Sequence, residues 1–247
     1  MTRYARITIP TGIYHVISRI MRGEYLISGA RERLRYLELL GRVLKNTDST
    51  LLGWCLMSNH IHLIVRSGTD PLSRLMKPLN TGFAVWLSKR IAARGPVFAD
   101  RFKSILVDEE AYLLELIRYV HNNPVRAGVV LDPSSSEWSS HRSYIGMEKC
   151  PPWLNIGYIL GMFSSDTEEA RGLFHQFVLE GRDEGRRPDL SGDGLKNMGR
   201  DVESGFGDGW RISGPIVGDK AFALLRQTTV ASSAIPTLEG TRVDRFS

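Results

Sequence analysis

An α+β fold with an antiparallel sheet is the architecture this 247-residue chain predicts. Two observations carry it. Segments of period 2 and period 3.6 follow one another in the order β-α-β-β-α-β. Two of the strand segments, 51–57 and 60–65, are separated only by Ser58-Asn59, a connection tight enough to turn the chain straight back. The first strand is read at 13–18, Ile13-Tyr14-His15-Val16-Ile17-Ser18, after the Pro10 to Gly12 punctuation. Residues 30–45 have helical spacing, with Leu34, Leu37, Leu40, Val43 and Leu44 on one stripe. In the third strand, alternation puts His60, His62 and Ile64 on one face and Ile61, Leu63 and Val65 on the other. A second helix is expected over 70–93 through Leu72, Leu75, Met76, Leu79, Phe83, Val85, Trp86 and Leu87, with Pro78 and Gly82 as points of kink or break. Residues 97–107 read as extended. Residues 109–121 read as a further helix that buries Leu113, Leu116, Ile117 and Val120 and ends before Pro124. This order is the split-βαβ, ferredoxin-like arrangement, with helices packed on one face. Its first and third strands are central neighbours, which sets the histidine pair mid-sheet.

Beyond Gly128 the regularity weakens. Residues 133–140 form a polar loop anchored by Trp138, and helices are expected over 153–162, 168–180 and 219–227. Residues 181–218 hold ten glycines, which favours irregular chain. The domain reading is a compact domain over 1–145 and a C-terminal extension over 146–247, partly helical and partly irregular.

Composition narrows the function classes. Hydrophobic content of 42% and charged content of 24% suit a globular protein. No apolar run reaches the roughly 18–20 residues that span a bilayer, and the N-terminus has no apolar leader. With only Cys55 and Cys150, no disulfide framework is implied, and a reducing cytoplasm fits. The net charge of +5 is unevenly spread: +8 over residues 1–150 and −3 over 151–247. A basic N-terminal part points to a polyanionic partner there.

Two imidazoles on one face of a strand, their Cα atoms about 6–7 Å apart, can close on one metal ion. The plain alternative is a half-buried strand with two hydrogen-bonded histidines. Tyr119 lies beside the apolar stripe of its helix, where a tyrosine ordinarily packs amphipathically. At i and i+4, Tyr119 and Asn123 point the same way off a helix, which brings a phenol and an amide toward one phosphate. A zinc site from Cys55, His60, His62 and Cys150 is the competing metal reading, although Cys55, five residues before His60, falls on the opposite face in a regular register. His15, on the neighbouring strand, lies near the pair.

The stretches Met57-Ser58-Asn59-His60-Ile61-His62-Leu63, Arg101-Phe102-Lys103 and Tyr119-Val120-His121-Asn122-Asn123-Pro124-Val125-Arg126-Ala127-Gly128 resemble the REP-associated tyrosine transposases, single-tyrosine members of the HUH-endonuclease superfamily. The resemblance runs from about residue 13 to 144. It implies that His60 and His62 hold Mg²⁺ or Mn²⁺, that Tyr119 is the nucleophile, and that Asn123 is the third ligand, with Asn122 and His121 as neighbours able to replace it. It implies a DNA transposase that nicks and joins single-stranded DNA through a 5′-phosphotyrosine, acting on palindromic repeats that fold into hairpins. The enzyme would work in the cytoplasm at the nucleoid, as monomer or homodimer. Arg19, Arg22, Arg66, Arg101, Lys103 and Arg126 are the basic side chains placed to grip phosphates. Tyr14, Trp54, Phe98 and Phe102 are either base-stacking or core aromatics, the core being favoured. The alternative from another class is a ferredoxin-like module that binds single-stranded nucleic acid without cutting it.

Overall fold

A computed structural model describes residues 10–21, 27–92, 95–107, 110–182 and 216–217. Strand β1 (Ile13–Arg19) leads to helix α1 (Ala30–Leu44), then β2 (Thr50–Leu56), β3 (His60–Arg66), α2 (Leu72–Ile91), β4 (Lys103–Val107) and α3 (Glu110–His121). The four strands pair antiparallel in the order β2-β3-β1-β4, and a two-residue strand β5 (Ile216–Val217) adds parallel to β4. β1 and β3 are therefore the central neighbours, as the element order requires. The β2–β3 hairpin closes around Ser58-Asn59, where the Met57 amide donates to the His60 carbonyl at 2.9 Å.

The pleat sorts the strand residues into two layers. Tyr14, Val16, Trp54, Leu56, Ile61, Leu63 and Val65 pack on the α1–α2 side with Tyr36, Leu40, Leu79 and Phe83. Tyr36 meets Phe83 edge to face, 5.2 Å between ring centres. Ile64, Cys55 and Val107 face the other way, against Leu113, Leu116, Ile117 and Val120 of α3. The layers confirm the alternation read from β3, but helices cover both faces of the sheet and not one as expected, because α3 buries its apolar stripe on the face opposite α1 and α2. The layers also place Tyr14, Trp54 and Phe102 in the core, with Phe98 half-buried against it.

Several local expectations change. Leu34 is exposed, and the buried stripe of α1 runs through Tyr36, Leu39, Leu40 and Leu44 instead. Six residues from Leu40 is about 120° off that stripe at 3.6 residues per turn. Val85 is likewise exposed. α2 continues through Pro78. The missing N–H costs about 3 kcal/mol, but the fully buried Leu75, Met76, Leu79 and Phe83 on either side hold the helix to the core. The extended stretch before β4 contributes only an isolated bridge from Phe98 to Ile20.

After α3 comes a single turn, α4 (Asn123–Arg126), then a 3₁₀ turn (Pro133–Ser135), the short helices α5 (His141–Tyr144) and α6 (Gly157–Leu160), and α7 (Thr167–Glu180). α6 is shorter than the helix expected over 153–162. α7 starts at an Asp166 cap whose carboxylate accepts from the Glu169 amide. Its Ala170, Phe174 and Val178 pack in the cluster that contains the buried face of α3. Most of the glycine-rich stretch and the helix expected over 219–227 lie outside the described residues. No described helix is long and apolar enough to cross a membrane.

Candidate functional site

His60 and His62 share one face of β3, with ring centres 4.7 Å apart. Antiparallel pairing sets His62 opposite Ile17 and His60 opposite Arg19. His15, opposite Ile64, is the diagonal neighbour of His62, a spacing that long side chains bridge. Its Nε2 lies 2.8 Å from His62 Nδ1, with the two rings stacked at 5.0 Å. His60 Nδ1 in turn lies 2.6 Å from the Asn59 side-chain oxygen. Both Nδ1 atoms are thus engaged by neighbours: His60 Nδ1 faces an amide oxygen, which only accepts and so leaves Nε2 its lone pair, and the same holds for His62 when His15 Nε2 is the acceptor. His62 Nε2 is buried and has no hydrogen-bond partner among the described residues. Burial, reinforced by His60, His15, Arg126 and Arg19, holds the His62 pKa well below the ordinary histidine value, so its ring is neutral and keeps a lone pair.

Helix α3 brings Tyr119 to this wall. Its ring is 8% exposed and stands edge-on to His62 at 6.2 Å and to His15 at 6.5 Å. The Arg126 guanidinium carbon lies 3.8 Å from the centre of the tyrosine ring, and Nη2 donates to the Tyr119 carbonyl at 2.6 Å. Asn123 stands one turn on from Tyr119. Its side-chain nitrogen donates to the carbonyls of Tyr119 and Val120 at 3.2 and 3.4 Å. Pro124 has no N–H to offer the Val120 carbonyl, and the Asn123 amide meets that need. With its nitrogen committed to acceptors, the carbonyl oxygen is the end of this amide suited to a cation.

The two imidazoles of this strand face are donors that fit a divalent ion, the His62 ring being neutral with its buried Nε2 unsatisfied, and Asn123 lies one turn beyond Tyr119. His121 and Asn122 are turned elsewhere. Asn122 donates to the Val178 carbonyl at 2.7 Å. His121 Nε2 meets Ser140 Oγ at 2.8 Å, and its Nδ1 lies 3.4 Å from His141 Nδ1. His141 Nε2 meets His175 Nδ1 at 3.0 Å. The six histidines thus fall into two groups of three, with α3 contributing Tyr119 to one and His121 to the other. The second group was not foreseen, because its members come from three separate helices.

The four-ligand zinc arrangement does not form. Cys55 pairs with His62 across the hairpin and shares its face, since an antiparallel turn resets the parity that a continuous strand would keep. Burial pushes its thiol up to about 12, so it is inert. Cys150 packs on the α1–α2 side of the sheet. Among the described residues no three His, Cys, Asp or Glu side chains are placed to hold a metal together.

Of the basic candidates, Arg19 is opposite His60, Lys103 is opposite Ile17 on the flanking strand, and Arg126 lies on Tyr119. Arg66 is at the far end of β3, stacked on Tyr158 at 5.2 Å. Arg101 is exposed two residues before β4, and Arg22 lies outside the described residues.

Comparison with known proteins adds to this geometry. Residues 8–123 match the family model described as "Transposase IS200 like". A solved REP-associated tyrosine transposase bound to a REP hairpin is similar at 18% identity and a TM-score of 0.51, over 63% of this chain and 92% of that one; the likeness is one of fold. A "putative transposase" from Deinococcus radiodurans R1 is similar at 14% identity and a TM-score of 0.34, over 49% and 97%. No curated protein matches.

Proposed function

Through residues 8–123 the chain belongs to the IS200-like transposase family, and from that premise we propose that it nicks and rejoins single-stranded DNA with Tyr119 as nucleophile. The observation that carries the reading is the Tyr119 ring set edge-on against His62, whose buried Nε2 has no hydrogen-bond partner among the described residues.

Strand transfer without an energy source must conserve the broken phosphodiester, and a phosphotyrosine does so. The phenol oxygen attacks phosphorus, the bond to the 3′-oxygen breaks, and that oxygen takes up a proton as the phenol gives one up. A later 3′-hydroxyl attacks the phosphotyrosine, restores the phosphodiester and releases the tyrosine. His60, His62 and the Asn123 oxygen would hold Mg²⁺ or Mn²⁺, whose contribution when bound is to polarise the scissile phosphate. Asn59 and His15 keep the two rings in register for that task. The α3 backbone fixes where the phenol stands, and Arg19 and Lys103 hold the strand by its phosphates without reading its sequence. The hairpin in the similar solved structure points to a folded single strand as substrate here.

The test is a denaturing gel after incubation with hairpin-bearing single-stranded DNA and Mn²⁺. A metal-dependent protein–DNA adduct is expected from the wild type and none from Tyr119→Phe, at equal DNA affinity. Equal binding by both proteins with no adduct from either would instead make this a nucleic-acid-binding module.

A further inference from the structure

We propose that Arg126 is the positioning residue of the Tyr119 nucleophile, acting through its charge rather than by gripping the DNA backbone. The proposal rests on the reading of Tyr119 given above and deepens it. The guanidinium stacks flat-distance close, 3.8 Å from the ring centre, well inside the roughly 6 Å within which a cation and an aromatic face attract. The same group donates to the Tyr119 carbonyl, so backbone and ring of one residue are held by one side chain seven positions on. That reach depends on the turn after α3. Pro124 and Asn123 start α4 directly after Asn122, and the Arg126 amide bonds back to the Asn122 carbonyl at 2.9 Å. The single turn thus swings the Arg126 stem back over the helix end that carries Tyr119.

The charge has a use in both directions of the reaction. When a 3′-hydroxyl attacks the phosphotyrosine, the bond between phosphorus and the phenol oxygen breaks and the electron pair stays with the phenol. Part of that negative charge spreads into the ring, where the guanidinium faces it. By microscopic reversibility the same contact assists the phenol oxygen as it attacks. A cation on the ring rather than on the phosphate stays in place whichever strand occupies the site. This suits an enzyme that must break one junction and make another.

The experiment measures adduct formation, and its resolution by an added 3′-hydroxyl strand, at saturating hairpin DNA and Mn²⁺. It compares full-length wild type, Arg126→Met, which keeps an apolar stem, and Arg126→Lys. Expected for Arg126→Met is a fall of roughly tenfold or more in both saturating rates, with DNA affinity within about twofold of wild type. Arg126→Lys should recover part of the loss. So should replacing Tyr119 in Arg126→Met by difluorotyrosine, whose oxygen carries negative charge more readily. A ring merely displaced by the substitution would gain from fluorination no more than the wild type gains from the same replacement, and that result overturns the proposal. So does weakened DNA binding with a salt dependence reduced by about one phosphate contact and unchanged saturating rates. Absence of any adduct from wild type would sink the nucleophile reading itself, whereas adduct formation indifferent to Arg126 sinks this proposal alone.

Discussion

His15 shows how one side chain decides what its neighbour can do. His62 is 3% exposed, and its Nδ1 has His15 Nε2 at 2.8 Å. When His15 Nε2 accepts in that contact, His62 carries its proton on Nδ1 and presents the Nε2 lone pair; without it a buried ring has two nitrogens and no preference between them. His15→Phe is therefore expected to weaken Mn²⁺ binding about 10- to 100-fold while DNA affinity measured without metal stays the same. Paramagnetic titration of Mn²⁺ into wild type and variant would read this, and equal affinities would remove His15 from the site. The two strand histidines were legible from period-2 alternation alone. His15 was legible only as a neighbour, because its diagonal place beside His62 depends on the register between β1 and β3. Cys55 was misplaced for a related reason: counting along the chain ignores the hairpin, across which Cys55 and His62 are partners.

At the scale of elements, α7 is the test of what the C-terminal residues contribute. Phe174 is fully buried, stacked on Tyr144 at 4.6 Å and edge-on to His121 at 5.7 Å. It joins α7 to α5 and to the back of the helix that carries Tyr119. Phe174→Ala should destabilise the fold by about 3–5 kcal/mol, the usual cost of emptying a buried aromatic site. Urea denaturation would measure it; a change within about 0.5 kcal/mol, typical of surface substitutions, would show that α7 does not support the core. The first six elements were legible because each has its own periodicity and tight punctuation. The α3 stripe of Leu113, Leu116, Ile117 and Val120 was read correctly in full, all four being completely buried. After Gly128 only α7 was legible, expected over 168–180 and found at Thr167–Glu180; the other helices there are single turns fixed by tertiary contacts rather than by spacing. Ser140, for instance, is placed by β2, where its Oγ accepts from the Trp54 amide at 2.9 Å.

Taken as a whole, the molecule stores neutral histidine behind α3, and that sets its response to acid. Burial holds His121 well below the ordinary histidine pKa and brings His141 down to about 3, with the neighbouring His175 adding to the effect on His141 and Asp132 opposing it. In the unfolded chain both side chains would titrate near 6.5. Between about 6.5 and 3 the unfolded state therefore binds more protons than the folded one, so stability rises with pH across that window and is lost as pH falls through it. Carboxylates titrate near 4 in unfolded chains and contribute little between pH 7 and 5.5, so the slope there reports on buried histidine. Chemical denaturation of the metal-free protein, without DNA, should show stability falling steadily from pH 7 to 5.5. His141→Gln should flatten that fall by about one proton's worth, whatever it does to stability at pH 8. A stability curve level across this range in the wild type would mean that the pair charges in place, and that the contacts of His121 with Ser140 and of His141 with His175 do not require neutral rings.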